Sequence, residues 1–460
     1  MVFSSSIFLF AFLPLLLLLY AVVPVERYRN VILLLASLGF YAWGEPKNIM
    51  IMLLSIAINY ALGFAVEKDW KFKKLFLVVT VVYNLGILFI FKYLNFAVDT
   101  INHISGSSIE IAQIALPIGI SFYTFQIMSY VIDVYRGNVK AQRNILNLGL
   151  YISLFPQLIA GPIVRYVDIE SQITGRKISW DKAREGVIRF AIGFSKKVLI
   201  ADQLSTLVDT VFGNAYPSII ANWIGIIAYT LQIFFDFSGY SDMAIGLGKM
   251  FGFDFLENFN YPYISQSIQE FWRRWHISLS SWFRDYLYIP LGGSRKGNLR
   301  TYINLIIVFF LTGLWHGASF NFIVWGLFYV IFLIIERLGF KNVLAKLPRA
   351  VRHIYSLLII MTGWIFFRAE NLSAAVSYIK GMFVTAGKDV VNFEFIMNRQ
   401  YWFFLIAGIF FSMPHPKLKA LAHKTEITEF ISDILLMLVF IIAICYMVGS
   451  GYSPFLYFRF

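Results

Sequence analysis

Long apolar segments recur along the whole chain and constrain its fold more than any other feature. A helix needs about 20 mostly apolar residues to cross the hydrocarbon core of a membrane. In lipid, only helices and closed barrels satisfy their own backbone hydrogen bonds. We therefore predict an all-α polytopic membrane protein of about 11–13 helices, some tilted, broken or re-entrant because their segments are short. The apolar segments are residues 7–23, 31–43, 49–66, 75–91, 116–135, 146–160, 186–208, 221–235, 303–314, 320–335, 354–367, 401–413 and 431–448.

Charged residues are unusually scarce. Asp, Glu, Lys and Arg make up 14% of the 460 residues, against about 25% in an ordinary soluble domain. A soluble protein of this size needs more polar surface, so the composition excludes a soluble enzyme, a disordered chain and a fibrous repeat. The single cysteine, Cys445, lies in an apolar segment, which excludes a disulfide framework and a thiolate metal cluster.

The distribution of Lys and Arg among the loops predicts the orientation of the chain. Segments 26–30, 67–74, 136–143, 341–352 and 417–424 are basic, whereas segment 95–113 contains neither Lys nor Arg. Basic loops stay in the cytoplasm. The first apolar segment follows no basic region, so we interpret it as a retained span rather than a signal peptide. We expect both termini on the extracytoplasmic side.

Residues 261–300 interrupt the apolar pattern with a polar, aromatic and basic region. Arg273 and Arg274 precede His276 on what the pattern indicates is a short amphipathic helix. One interpretation is an interfacial helix whose arginines meet lipid phosphates. The other is a positive vestibule that gathers an anionic, phosphate-bearing substrate. The basic residues of this region are Arg273, Arg274, Arg284, Arg295, Lys296 and Arg300, against two acidic residues, Glu270 and Asp285.

A histidine lies near the middle of the next apolar region. Residues 301–336 would make a helix of about 54 Å, far longer than one crossing requires. Gly313 and Gly317 flank the Leu-Trp-His sequence that ends at His316. We predict that the helix breaks there and that two helices meet near His316, deep in the membrane. An ionisable residue at such depth is a functional candidate; the alternative is a neutral imidazole hydrogen-bonded between helices.

Three acidic residues in apolar segments keep a different class of protein open. Asp133, Asp236 and Asp242 are of the kind that secondary transporters use in proton or ion relays. They can instead pair with arginines or cap broken helices. We predict no metal site, because His276 and His316 lack a short ligand spacing and no cysteine joins them.

Several long motifs match a known family. FWRRWHISLSSWFRDYLYIPLGGSRKG and LTGLWHGASFNFIVWG resemble the core of the membrane-bound O-acyltransferase family. Within it, the chain is most similar to the branch that holds the membrane subunit of bacterial alginate O-acetyltransferases. Further matching motifs are VFSSSIFLFAFLP, LPIGISFYTFQIMSYVIDVYRG, LFPQLIAGPIVR, FFDFSGYSDMAIG and PFLYFRF.

The resemblance implies a ring of helices around a central tunnel, built as one membrane-embedded domain over residues 1–460. Residues 1–114 would form N-terminal spans, 115–340 the catalytic core with a cytoplasmic funnel at 261–300, and 341–460 the C-terminal spans and an extracytoplasmic tail. The resemblance also transfers the two family histidines to His316 and His276.

The resemblance further implies a donor, an acceptor and partners. The donor is a cytoplasmic thioester, acetyl-CoA for this branch or otherwise an acyl carrier, and no cofactor is tightly bound. The acceptor is a hydroxyl of a cell-envelope polysaccharide, reached through an extracytoplasmic SGNH-type acetyltransferase. The surroundings are the lipids of a bacterial inner membrane, and nucleic acid has no part.

The predicted chemistry assigns a role to each candidate. His316 is the general base, because a neutral imidazole suits proton removal from a hydroxyl. His276 provides a second polar contact or orients the thioester, and Asn304 and Ser319 are candidate oxyanion donors. Arg is well suited to bidentate phosphate contacts, so the basic residues of 261–300 would bind the donor: Arg273, Arg274, Arg284, Arg295 and Lys296.

The C-terminal segment GYSPFLYFRF contains a further candidate, Tyr457. One interpretation is an aromatic belt at the membrane interface. The other is an acyl relay, in which the phenol takes the acetyl group as an ester and a downstream acyltransferase collects it. Three alternatives to acetyl transfer remain at this point: D-alanyl or other acyl transfer to teichoic acid from a carrier protein, a secondary transporter, and a non-catalytic scaffold.

Overall fold

The chain folds into helices. The computed structural model describes residues 1–213, 218–384, 398–422, 424–450 and 455–456, and over these residues it contains no strand. Among them, seven helices are long and apolar enough to cross a membrane: Ile49–Glu67, Lys73–Ser105, Ile219–Met250, Asn298–His316, Phe320–Lys346, Arg349–Arg368 and Glu426–Gly449. The prediction of an all-α polytopic membrane protein is confirmed.

The described residues form two compact units, of which the first comprises Met1–Phe190 and Met243–Leu256. Two helices, α10 (Trp180–Ser195) and α12 (Ile219–Met250), contribute residues to both units. The other helices of the first unit are α1 (Leu13–Val22), α2 (Glu26–Gly44), α3 (Ile49–Glu67), α4 (Lys73–Leu88), α5 (Leu94–Ser105), α6 (Ile120–Arg136), α7 (Ile145–Ser153), α8 (Phe155–Leu158) and α9 (Tyr166–Ile173).

Helix α6 is the centre of the first unit. Nearly all of its side chains are buried, and it contacts both α3 and α4. Between α3 and α4, Asn84 donates to Asn59 over 2.8 Å and Asn59 donates back over 3.3 Å. A hydrogen bond between apolar helices in lipid contributes on the order of 1 kcal/mol, so this reciprocal amide pair ties the two spans together.

The second unit comprises Ala191–Asp242 and Glu257–Phe460. A π-helical stretch, Lys196–Ala201, follows α10 in this unit. Its helices are α11 (Asp202–Gly213), α13 (Ile268–Arg274), α14 (Ile277–Phe283), α15 (Asn298–His316), α16 (Phe320–Ile335), α17 (Lys341–Lys346), α18 (Arg349–Arg368), α19 (Leu372–Gly381), α20 (Arg399–Phe411), α21 (Pro416–Ala422) and α22 (Glu426–Ser450).

An aromatic core fills the second unit where α13, α16 and α18 contact one another. The rings of Trp275 and Trp364 lie 4.8 Å apart between centroids, and Trp272 and Tyr329 lie 5.1 Å apart. Each buried aromatic ring removes a large apolar area from solvent, so this core holds the short helix α13 firmly. Helix α13 ends two residues before His276, and Trp275 of the core lies between them, so the core also fixes the backbone next to a candidate residue.

Candidate active site

Helix α15 ends at His316, as the glycine pattern predicted. Gly317 is extended (φ −173°, ψ 154°), and α16 begins three residues later at Phe320. The Ser319 side chain accepts a hydrogen bond from the Asn321 backbone N–H over 3.2 Å, so it caps α16. This cap satisfies one of the free N–H groups at the start of the helix. The predicted break near His316 is confirmed.

Glycines let α15 and α16 approach closely on either side of this break. A Cβ atom on Gly326 would overlap the carbonyl oxygen of Phe309, and one on Gly313 would overlap that of Phe322. Only residues without a Cβ allow two helix backbones to pack at this distance. The glycines therefore determine how closely the end of α15, with His316, lies against α16.

His276 lies between two short helices, not on the amphipathic helix expected from the pattern. Helix α13 ends at Arg274, and His276 precedes α14 with φ 45° and ψ 54°. This left-handed conformation is uncommon for a residue with a side chain. The expectation was wrong because extended backbone at Trp275 and left-handed backbone at His276 separate two short helices. Contacts with residues far along the chain hold that conformation.

Those contacts come from Asn258, which the sequence analysis did not single out. Its side chain is fully buried, and its Oδ1 accepts from the Ser278 backbone N–H over 3.2 Å and the Ser278 hydroxyl over 2.9 Å. The Nδ1 atom of His276 lies 3.2 Å from the same oxygen. The Asn258 backbone carbonyl accepts from the Ile277 N–H over 2.9 Å. The only signal for Asn258 in the sequence was its place as a polar residue after an apolar segment, a pattern too common to single it out.

The two candidate histidines lie side by side. Their ring centroids are 6.4 Å apart, and only 1% of His276 and 4% of His316 is exposed. His276 lies outside the seven spanning helices, and burial lowers its pKa to about 3, so its ring is neutral at physiological pH. Aromatic rings surround the pair: Phe237 and Trp315 next to His276, and Trp315, Trp325 and Phe367 next to His316.

A buried glutamate holds the helix that leads to His276. The Glu336 carboxylate accepts hydrogen bonds from the backbone N–H groups of Ile268, over 2.7 Å, and Gln269, over 3.0 Å. The Tyr355 hydroxyl donates to it over 3.3 Å. A negative charge here also interacts favourably with the positive end of the α13 dipole. Glu336 was not predicted as a functional residue, although an acidic residue at the end of an apolar segment was a usable signal.

The two proposed oxyanion donors have structural partners. The Asn304 side chain is fully buried and donates over 3.0 Å to the Gly293 carbonyl, which ties the loop before α15 to the helix. Ser319 caps α16 as described. These bonds give both side chains a role in local structure.

The basic residues of segment 261–300 differ in their surroundings. Arg274 forms an ion pair with Glu270 over 3.0 Å and also donates to the Asn260 carbonyl. Arg284 forms an ion pair with the neighbouring Asp285 over 2.7 Å. Arg273, Arg284, Arg295 and Lys296 have exposed side chains, so they are accessible to an anionic ligand, as Arg274 is to a lesser extent.

The intramembrane acids Asp236 and Asp242 form ion pairs with lysines, and Asp133 accepts a hydrogen bond from an asparagine. Lys197 is buried and bridges Asp236 (2.7 Å) and Asp202 (2.6 Å), while Lys196 contacts Asp242 over 2.6 Å. In the first unit, Asn138 donates to Asp133 over 3.2 Å. Buried charges of both signs lower each other's desolvation cost, which accounts for their presence in apolar helices.

Two residues near the C-terminus reach the ion pair of Asp236 and Lys197. The Leu456 backbone N–H donates to Asp236 Oδ2 over 2.9 Å, and the Phe455 ring lies 4.7 Å from Lys197 Nζ. Phe455 also packs edge-on against Tyr240 with centroids 4.7 Å apart. Tyr457, the predicted acyl relay, lies outside the described residues.

The arrangement is suited to proton transfer in a dry environment. Two buried imidazoles with ring centroids 6.4 Å apart can remove a proton from a hydroxyl and return it to a leaving group. In the described part of the chain, no three His, Cys, Asp or Glu side chains are grouped as a metal site would require.

The family model and the relatives that the chain resembles all point to O-acyl transfer. Residues 140–372 match the model of the membrane-bound O-acyltransferase family. The chain is 42% identical to a probable alginate O-acetylase AlgI of Azotobacter vinelandii, over 100% of both chains. It is 48% identical to the probable alginate O-acetylase AlgI of Pseudomonas aeruginosa, covering 83% of this chain and 75% of the relative. A peptidoglycan O-acetyltransferase of Helicobacter pylori is 36% identical over 83% of this chain and 80% of its own length.

Proposed function

The chain belongs to the membrane-bound O-acyltransferase family. We propose that it takes an acetyl group from cytoplasmic acetyl-CoA and transfers it across the membrane for the O-acetylation of a cell-envelope polysaccharide. Relatives named for alginate and for peptidoglycan acetylation support an acceptor of this class. The observation that carries the proposal is the buried pair of histidines, His276 and His316, with ring centroids 6.4 Å apart.

In the proposed reaction, His316 is the general base. The acceptor hydroxyl attacks the thioester carbonyl carbon while the His316 imidazole takes its proton. A new C–O bond forms, the C–S bond breaks, and the proton passes from His316 to the departing thiolate, which leaves as a thiol. The aromatic surroundings favour this step because they exclude the water that would hydrolyse the thioester.

Replacing His316 tests the proposal. In purified protein with labelled acetyl-CoA, we expect His316→Ala to reduce thiol release and acetyl transfer by about 10²-fold or more, the usual contribution of acid–base catalysis. His103→Ala is the matched control, because His103 is exposed at the end of α5. Normal transfer by folded His316→Ala protein would refute the role of His316. If the wild-type protein showed neither thiol release nor acyl labelling, the proposed acetyl transfer would be refuted.

The exposed basic residues would bind the phosphates of the donor. We expect Arg273, Arg295 and Lys296 to contribute most, because Arg274 and Arg284 are weakened by their ion pairs with Glu270 and Asp285. Because exposed charges are screened by salt, the KM for acetyl-CoA should rise with ionic strength. A salt-independent KM would contradict donor binding at these residues.

Tyr457 would be the first acceptor of the acetyl group. Its phenol oxygen would attack the thioester, forming a phenolic ester, and a hydroxyl of an extracytoplasmic SGNH-type partner would then displace the phenolate. The anchoring of the preceding residue supports this role, since the Leu456 N–H is bonded to a buried carboxylate.

The relay is tested by mass spectrometry of the intact protein and of its last peptide. We expect one added acetyl group on Tyr457 after incubation with acetyl-CoA, and no transfer by Tyr457→Phe. Tyr28→Phe is the control, because Tyr28 is 60% exposed and lies in α2, near the start of the chain. Full transfer by Tyr457→Phe would refute the relay.

The site and acceptor of the reaction require experiments in cells. We propose a bacterial inner membrane location with both termini extracytoplasmic, which reporter fusions at each end would check. Analysis of O-acetyl groups in the exopolysaccharides and peptidoglycan of a deletion strain would identify the polymer. An unchanged acetyl content in every envelope polymer would contradict the proposed acceptor class.

A further inference from the structure

A backbone N–H group determines which end of the Asn258 side-chain amide is the oxygen and which is the nitrogen. The Ser278 backbone N–H, which can only donate, lies 3.2 Å from Asn258 Oδ1. At the other end of the amide, Nδ2 lies 3.1 Å from the Ser241 hydroxyl oxygen, which accepts. The atom that Asn258 presents to its neighbours on the Ser278 side is therefore its oxygen.

That oxygen determines which nitrogen of His276 carries a proton. A carboxamide oxygen only accepts hydrogen bonds, and His276 Nδ1 lies 3.2 Å from it. The Nδ1 atom is consequently the donor. A neutral imidazole has a single N–H group, so Nε2 then holds the lone pair.

We propose that Asn258 is a positioning residue that holds His276 as the Nδ1–H tautomer and leaves Nε2 as a proton acceptor. Backbone bonds on both sides of His276 support this: Ile277 N–H to the Asn258 carbonyl and Asn260 N–H to the Arg274 carbonyl, each over 2.9 Å. They hold the left-handed residue in place. The pKa of His276, which burial lowers to about 3, keeps the ring neutral and the assignment meaningful at working pH.

The tautomer restricts what His276 can do in the acyl transfer, and this consequence rests on the proposed function. Nε2 can accept a hydrogen bond or a proton from a hydroxyl or from an amide of the donor. It cannot donate to the oxyanion of the tetrahedral intermediate. His276 is therefore a second basic group next to His316, and oxyanion stabilisation must come from other donors.

The tautomer can be measured directly by ¹⁵N NMR of the full-length protein in detergent, with ring-labelled histidine and the His276 signals assigned by their loss in His276→Gln. We expect a protonated, pyrrole-like Nδ1 and a pyridine-like Nε2. In Asn258→Ala, both signals should shift towards the average of two tautomers. Ser278→Ala is the matched control, because it removes one bond to the same oxygen but retains the backbone N–H, and it should resemble the wild type.

A second variant covers the case in which Asn258→Ala does not fold. Asn258→Asp retains an acceptor and adds a negative charge, so it should retain the Nδ1–H tautomer and raise the pH at which the ring titrates. In acyl transfer, we expect Asn258→Ala to lower kcat by about 10-fold or more with a smaller change in KM, and Asn258→Asp to restore part of kcat.

Three results would overturn the proposal: a proton on Nε2 in the wild type, an unchanged tautomer in folded Asn258→Ala, or an unchanged titration in Asn258→Asp. A wild-type protein that transfers no acyl group refutes the proposed function instead, because the NMR assignment does not depend on turnover.

Discussion

Removing the Glu336 carboxylate should loosen the helix that leads to His276. The carboxylate accepts two buried backbone N–H groups at the start of α13, and the Tyr355 hydroxyl adds a third, longer bond. A hydrogen bond to a charged group contributes about 1.5–3 kcal/mol, so Glu336→Ala should cost about 3–6 kcal/mol. In Glu336→Gln, one carboxylate oxygen becomes an NH₂ group, which cannot accept from the backbone N–H it faces. The loss in the free energy of unfolding should therefore be about half that of Glu336→Ala.

Tyr355→Phe is the matched control, since it removes only the hydroxyl bond and should cost about 1 kcal/mol. Trp272 and Trp275, two of the 11 tryptophans, lie on or next to α13, so the thermal change in tryptophan fluorescence of the purified protein reports on unfolding that includes this helix. We expect the transition temperatures to decrease in the order wild type, Tyr355→Phe, Glu336→Gln, Glu336→Ala.

Acyl transfer should fall in the same order, because the end of α13 determines the position of the His276 backbone. A transition temperature of Glu336→Ala no lower than that of Tyr355→Phe would refute the assigned energetics. Full activity in Glu336→Ala with the expected loss of stability would show that the cap supports the fold but does not position His276.

Three further predictions concern the tail, the pH and the helix crossing. Leu456→Pro removes the N–H that Asp236 accepts and should lower the unfolding temperature, whereas Leu456→Ala retains the donor; equal effects would contradict the anchor. Because the pKa of His276 is lowered to about 3 from its ordinary value near 6.5, the unfolded chain binds a proton that the folded chain does not, and stability should fall as the pH drops through this range. His276→Asn should weaken that pH dependence, and an identical slope would refute the assignment. Gly326→Ala should destabilise the protein by about 1–3 kcal/mol and reduce acyl transfer, while Gly39→Ala, with open space around it, should do neither.

Much of the candidate site was predictable from local sequence. The glycines around residue 316 predicted where α15 ends, because a helix of 36 residues exceeds one crossing and glycine is a common position for a break. The motifs that contain His276 and His316 identified both histidines without any spatial information. For the intramembrane acids, the sequence left a proton or ion relay and pairing with another group both open, and the structure gives each acid a polar partner.

Other features of the site depend on contacts between residues far apart in the chain. Asn258 lies 18 residues before His276, and Glu336 lies 68 residues after Ile268, whose N–H it accepts. Neither contact has a characteristic spacing, because such a bond requires only that two distant segments of the chain meet. The left-handed backbone of His276 depends on its contacts with Asn258. The local sequence pattern carries no trace of them and therefore predicted a helix that includes His276.

The sequence by itself determined the class of fold and the identity of the two candidate histidines. Apolar segments must become helices in lipid because no other element satisfies its own backbone there, and charge scarcity excludes a soluble alternative. Only the tertiary structure decided that the two histidines are neighbours, that a buried amide orients one of them, and that a carboxylate caps the helix before it. These are properties of geometry: a hydrogen bond forms only when donor and acceptor lie about 3 Å apart, and folding alone brings such distant residues together.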